Sequence, residues 1–175
     1  MKTIYLLAAA VLAITPAAAQ SIGEQTGVNS VLGISPSTQD FVTQAANGDM
    51  FEIQSSELAG PRVDEPTKAF AAQMVVAHTQ TTEQLKALIA SGTVQATPPA
   101  AMESDLQGKL DALKKLNGAE FKKQYLDDQI EVHKGAVSLF ERYANGGDNS
   151  ALKEWAGKTL PVIKHHLMMA EALAK

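Results

Sequence analysis

The chain has 175 residues, 45% of them hydrophobic, no cysteine and a formal net charge of −4. Without cysteine it has neither disulfide bonds nor thiolate chemistry nor thiolate metal ligands, so a packed core must hold it together. Charges of both signs are interspersed along the chain, which excludes a basic face for nucleic acid or acidic lipid.

Residues 1–19 carry one charge, Lys2, then an apolar run from Ile4 to Ile14, Pro16 and Ala17-Ala18-Ala19. That is the layout of a secretory signal peptide cleaved after Ala19. An apolar run of about 11 residues falls short of the roughly 20 that a spanning helix needs, which argues against a retained anchor. No later segment approaches spanning length, so the mature protein is expected to be soluble, in the periplasm or secreted. A lipoprotein is excluded by the lack of a cysteine.

Residues 20–36 are poor in charge and rich in glycine and serine. They read as a flexible leader whose Val31, Leu32 and Ile34 dock on the body of the protein. Residues 37–175 read as one helical domain.

The first helix starts at Ser37, where Ser-Thr-Gln-Asp resembles a capping box, and ends at Gly60-Pro61; Phe41, Ala45, Gly48, Glu52 and Ala59 share one face. The second starts at Asp64-Glu65-Pro66 and stops at Ser91-Gly92, with a stripe of Phe70, Met74, His78, Thr81, Leu85 and Leu88. After a loop containing Thr97-Pro98-Pro99, Leu106, Leu110, Leu113 and Leu116 mark an amphipathic helix that pauses at Asn117-Gly118. Phe121, Tyr125, Gln129, Val132, Ala136, Leu139 and Tyr143 form the next stripe, with His133 at its edge and Asn145-Gly146-Gly147 as the stop. The last helix, capped by Asn149 or Ser150, carries Leu152, Trp155, Leu160, Ile163, His166, Ala170 and Leu173, with a kink expected at Pro161. Strand-like alternation is absent. The expected fold is all-α: an antiparallel up-and-down four-helix bundle with one broken or extra helix, the leucine helix and the Phe121 helix forming one broken unit.

Three of the four histidines, His78, His133 and His166, fall on or beside the apolar stripes of three different helices, whereas His165 is rotated about 100° away from His166. Glu52 occupies the small-residue face of the first helix. Folded together, these four groups form an inward cluster of imidazoles and a carboxylate, the usual composition of a transition-metal site in a helical bundle. Zinc, copper and iron suit such donors, and Met74, Met168 and Met169 would favour copper if turned inward. The plain alternative is that each histidine is a hydrogen-bonded core residue and Glu52 points outward. The ferritin-type Glu-x-x-His pair is missing, because Val75, Ile130, Val162 and Ile163 stand three positions before the histidines. No Gly-x-Ser-x-Gly elbow, His-Glu-x-x-His motif or phosphate loop is present, and Ser55-Ser56 reads as polar helix surface. No catalytic residues are assigned, and a binding protein is favoured over an enzyme.

Phe41-x3-Ala45 with Glu52, Phe70-Ala71-x2-Met74-Val75-x2-His78-Thr79, Gly118-Ala119-x-Phe121-x3-Tyr125 with His133, and Thr159-Leu160-Pro161-x4-His166-Leu167 together resemble the exported bacterial proteins of domain of unknown function 4142. The resemblance spans about residues 37–173. It implies a ferritin-like four-helix bundle in a bacterial envelope, and its pattern falls on Glu52, His78, His133 and His166. Relatives place aspartates where this chain has Ala77 and Lys122, which takes away carboxylates that would orient a ligand. Two functions follow as expectations: a metal ion or small ligand held in the bundle, or a structural protein that works through an envelope partner or self-association. A metal-dependent oxidoreductase is a third, and pH sensing by the clustered histidines a fourth.

Overall fold

A computed structural model describes residues 20–175; the expected signal peptide at 1–19 lies outside the described residues. Two short helices, α1 (Ile22–Gln25) and α2 (Val28–Val31), precede α3 (Thr38–Ala59), α4 (Glu65–Ala90), α5 (Ser104–Lys114), α6 (Gly118–Gly146) and α7 (Ser150–Leu173). There is no strand among the described residues, and no helix among them is long and apolar enough to cross a membrane.

The long helices begin where side chains satisfy their free N–H groups. Ser37 Oγ accepts from Asp40 N at 3.1 Å, Asp64 Oδ1 from Thr67 N at 3.1 Å, and Asn149 Oδ1 from Leu152 N at 2.9 Å. The aspartate of the first box is itself buried, accepting from Ser37 Oγ at 3.0 Å and from Ser21 N at 2.8 Å. Helix α7 continues through Pro161, whose ring faces solvent.

Contacts run from α3 to α4, α4 to α7, α7 to α6 and α6 back to α3, which closes a ring of four helices. Neighbours across the ring are antiparallel. Phe41 near the start of α3 stacks on Tyr143 near the end of α6 (ring centroids 4.2 Å), while Ser56 near the end of α3 meets the Tyr125 hydroxyl at 2.8 Å. Trp155 near the start of α7 donates to Gln84 near the end of α4 at 2.8 Å.

Connectivity departs from simple up-and-down order. After α4 the chain returns along the whole bundle: Asn149 donates to Thr93 O, Gln39 to Thr97 O, Asn47 to Glu103, and Arg62 to Leu116 O. The return makes α4 and α6 run the same way, the one-crossover arrangement of ferritin-like bundles. Helix α5 is therefore the extra helix and not the first half of a broken one. It packs along α3 and then reverses into α6 through Lys115–Gly118, where Gly118 takes φ +56°, a conformation that L side chains rarely adopt. Leu110 and Leu113 bury against α3 and the start of α6, which is why its leucine stripe looked like bundle core.

Residues 20–36 attach through polar groups and not through the expected apolar ones. Arg142 grips Glu24 with two bonds, Nη1 to Oε1 at 2.8 Å and Nη2 to Oε2 at 3.1 Å, and Gln44 donates to Glu24 Oε2 at 2.9 Å. Val31, Leu32 and Ile34 are exposed.

Two apolar clusters form the core. The first gathers Phe41, Val42, Leu85, Leu139, Phe140, Tyr143, Leu152 and Ile163; the second gathers Phe51, Phe70, Met74, Leu110, Leu113, Phe121, Tyr125 and Ala170. On three of the long helices the candidate residue lies between the two, His78 on α4, His133 on α6 and His166 on α7, whereas on α3 Glu52 directly follows Phe51 of the second cluster. Phe41 is fully buried and touches three rings, those of Phe140, Tyr143 and Trp155. Phe41→Ala should cost about 3–5 kcal/mol, read from a shifted urea midpoint at unchanged slope.

Candidate metal centre

The histidines arrive from three helices at one level. His78, His133 and His166 each present one ring nitrogen, and these atoms all lie within 4.8 Å of one another. The rings are 5.6 to 5.7 Å apart, centroid to centroid. All three are buried, and each has a buried nitrogen without a hydrogen-bond partner: Nε2 of His78, Nε2 of His133 and Nδ1 of His166. His165 is exposed, as its helical angle requires.

Hydrogen bonds at the far side of two rings settle their tautomers. His133 Nδ1 donates to the Gln129 carbonyl at 2.9 Å, which leaves Nε2 as a bare lone pair. His78 Nδ1 faces Asp49 Oδ1 at 2.8 Å, and Asp49 is held by the hydroxyls of Thr81 at 2.8 Å and Thr82 at 3.0 Å. A carboxylate behind an imidazole fixes its orientation and raises its basicity as a ligand. The carboxylate behind His78 thus comes from α3, while Lys122 pairs with Asp64 at 2.6 Å, at the bundle end.

Glu52 is 1% exposed and stands beside the triangle instead of completing it. Its Oε1 lies 3.3 Å from His133 Nδ1, but that N–H is used by Gln129, so neither carboxylate oxygen has a donor. Burial pushes the Glu52 carboxyl up to about 7, with the neighbouring His78 pulling the other way. Burial, assisted by His78, lowers His133 to about 3 and His166 to about 4. Burial alone would lower His78 too, but the Asp49 hydrogen bond and the Glu52 and Asp49 charges outweigh it and hold it above the ordinary histidine value.

Ser55 and Ser56 are buried next to this layer and are not polar surface: Ser56 meets the Tyr125 hydroxyl, and Gln129 Nε2 donates to Ser55 Oγ at 3.3 Å. Of the methionines, Met74 is buried in the second apolar cluster, Met169 packs against it, and Met168 is exposed. Asp49 and Gln129 are the participants that sequence reasoning missed. The signal for Asp49 was its position one turn before Glu52, which puts both carboxylates on the inward side of α3.

The family model for a domain of unknown function, DUF4142, matches residues 23–173. The chain belongs to this family. No curated protein and no solved structure matches it. In this DUF4142 chain the centre combines three imidazoles, each with a buried ring nitrogen that has no partner, with two carboxylates, a composition that suits a borderline transition metal.

Zinc–imidazole bonds of about 2.0–2.1 Å in a tetrahedron separate neighbouring nitrogens by about 3.4 Å. The nitrogens, which lie within 4.8 Å of one another, would have to draw together to that separation to share one zinc ion. With no donor, each buried polar atom costs about 1–3 kcal/mol, so Glu52→Leu should raise the stability of the metal-free protein at neutral pH by an amount of that order in a denaturant melt.

The pH response of the metal-free protein follows from the same shifts. His133 and His166, lowered from 6.5, contribute stability that is lost as pH falls below 6.5, because unfolding releases them to take up protons. Glu52, raised from 4.5 to about 7, opposes them over that interval. The raised carboxyls of Glu103 and Asp128 oppose them too, as does His78 near pH 6.5, so the histidine contribution is read as a difference between parent and variant. Removing one lowered histidine by His166→Ala should make acidification from pH 6.5 towards 4.5 less costly than in the parent, read from the two melting-temperature profiles; parallel profiles would contradict the assignment.

Proposed function

We propose that this protein binds a transition metal ion inside the bundle, with His78, His133 and His166 as ligands. The observation that carries the reading is the meeting of three buried histidines from three helices in one polar layer, ring nitrogens within 4.8 Å of one another, each histidine keeping a buried nitrogen without a partner. Burying three ring nitrogens without partners costs stability with nothing in return, and coordination would convert that cost into binding energy. Asp49 orients His78, and Gln129 fixes the His133 tautomer. Glu52 supplies a negative charge next to the ion. Three protein nitrogens leave a fourth position, the pattern of centres that exchange a ligand.

The amino-terminal pattern of Lys2, the Ile4–Ile14 run and Ala17-Ala18-Ala19 supports export, and we place the protein in a bacterial envelope, in the periplasm or beyond. Zinc, copper and iron are the metals this donor set suits. Exposed Ile22, Val31 and Leu32 on α1 and α2 favour a second reading, a protein that docks on an envelope partner. That reading predicts that alanine at all three histidines leaves function intact.

The deciding experiment is metal analysis of untagged protein purified from periplasm, with thermal melts in chelator and in added zinc, copper, iron, manganese and nickel. We expect about one ion per chain, a chelator-sensitive melting temperature, and loss of both in His166→Ala. Chelator-insensitive stability with no metal uptake would sink the metal reading.

A further inference from the structure

A cavity of about 350 Å³ opens between α3 and α6 and is lined at its inner end by Glu52, His78 and His133. Two glycines, Gly48 on α3 and Gly135 on α6, line it at nearly the same level of the antiparallel pair. Neither glycine has the positive φ that would require it, and a Cβ at either position would meet nothing within 4 Å. Glycine is the poorest helix former after proline, so neither backbone conformation nor close packing accounts for these two. A longer side chain at either position would project into open space along the cavity wall.

The inner end holds side chains that are nine-tenths buried and unpartnered: both oxygens of Glu52, and Nε2 of His133 and of His78. The middle wall is apolar, formed by Val132, Leu139, Phe140 and Ile163. Of the carboxylates that line the cavity, Glu24 is held by Arg142 and Glu131 pairs with Lys109 at 2.7 Å, while Glu103 accepts from the amides of Gln20 and Asn47.

Resting on the metal reading, we propose that this cavity is an exchangeable ligand site. It admits a neutral molecule with an apolar body and one nitrogen donor that completes the coordination of the histidine-bound ion. The volume lies within the range of small-molecule pockets. Two of the outer carboxylates are balanced by Arg142 and Lys109, and Asp49 and Glu52 already oppose the charge of a divalent ion, so a neutral head is favoured. The apolar wall rewards an apolar body, and a borderline metal held by imidazoles takes nitrogen readily.

The test uses protein loaded with cobalt(II), its stoichiometry measured first, and follows the visible spectrum on titration with imidazole, 4-phenylimidazole and azide at mildly alkaline pH. We expect saturable band shifts with both imidazoles, 4-phenylimidazole binding at least about tenfold more tightly than imidazole, and azide more weakly than either. Gly48→Leu, or Gly135→Leu should the first variant fold poorly, should keep one metal per chain and weaken 4-phenylimidazole by at least about tenfold. Metal-loaded protein whose bands ignore all three probes, azide binding more tightly than the imidazoles, or leucine variants that bind as well as the parent would overturn the inference. A chain that takes up no cobalt overturns the metal reading and this inference with it, and the stoichiometry separates the two failures.

Discussion

A layer of imidazole and carboxylate crosses the middle of the bundle and divides its apolar core into two clusters. Each polar atom placed there gives up hydration, and several recover no partner from the protein. The remainder of the fold accommodates this layer. Aromatic rings concentrate above and below it, with Phe41, Phe140 and Tyr143 on one side and Phe70, Phe121 and Tyr125 on the other. Those clusters fix the helix levels, and the levels decide that three imidazoles from α4, α6 and α7 meet.

The long return after α4 has a consequence for the site. It makes all four ring contacts antiparallel while leaving one flank, along α3 and α6, to be covered by the return strand, α5 and residues 20–36. Leu110 and Leu113 of α5 cover part of that flank by apolar contact, and polar groups, Glu24 with Arg142 and Glu103 with Asn47, cover the part beside the cavity. Closure of the bundle and access to its centre are therefore built by different kinds of interaction: apolar contact in the ring and under α5, charged hydrogen bonds beside the cavity.

Burial works on the titratable groups in a consistent direction. It favours the neutral form of Glu52, His133 and His166, so the metal-free layer lowers its charge; His78 alone is held towards the charged form, by Asp49 and Glu52. A neutral imidazole is also the form that binds a metal. The environment that minimises the electrostatic cost of the layer thus prepares two of its three histidines as ligands.

Helical periodicity and end signals determined the long helices, because a stripe repeating every 3.6 residues and a capping side chain are local properties of the chain. They also selected His78, His133, His166 and Glu52, whose place on otherwise apolar or small-residue faces is legible without knowing the neighbours. What they could not provide was the pairing of helices. Leu106 to Leu116 makes the same stripe whether α5 extends α6 or doubles back against it, and only the contacts with α3 decide. Asp49, Ser55 and Ser56 look like solvent-facing polar residues until the partners across the ring, His78, Gln129 and Tyr125, are in place. The sequence by itself determined which residues face inward on each helix; tertiary packing alone decided which of them touch, that Glu52 stands beside the imidazole triangle, and that an opening remains between Gly48 and Gly135. The physical reason is that facing follows from the geometry of one helix, whereas distance between side chains depends on the level and direction at which separate helices dock.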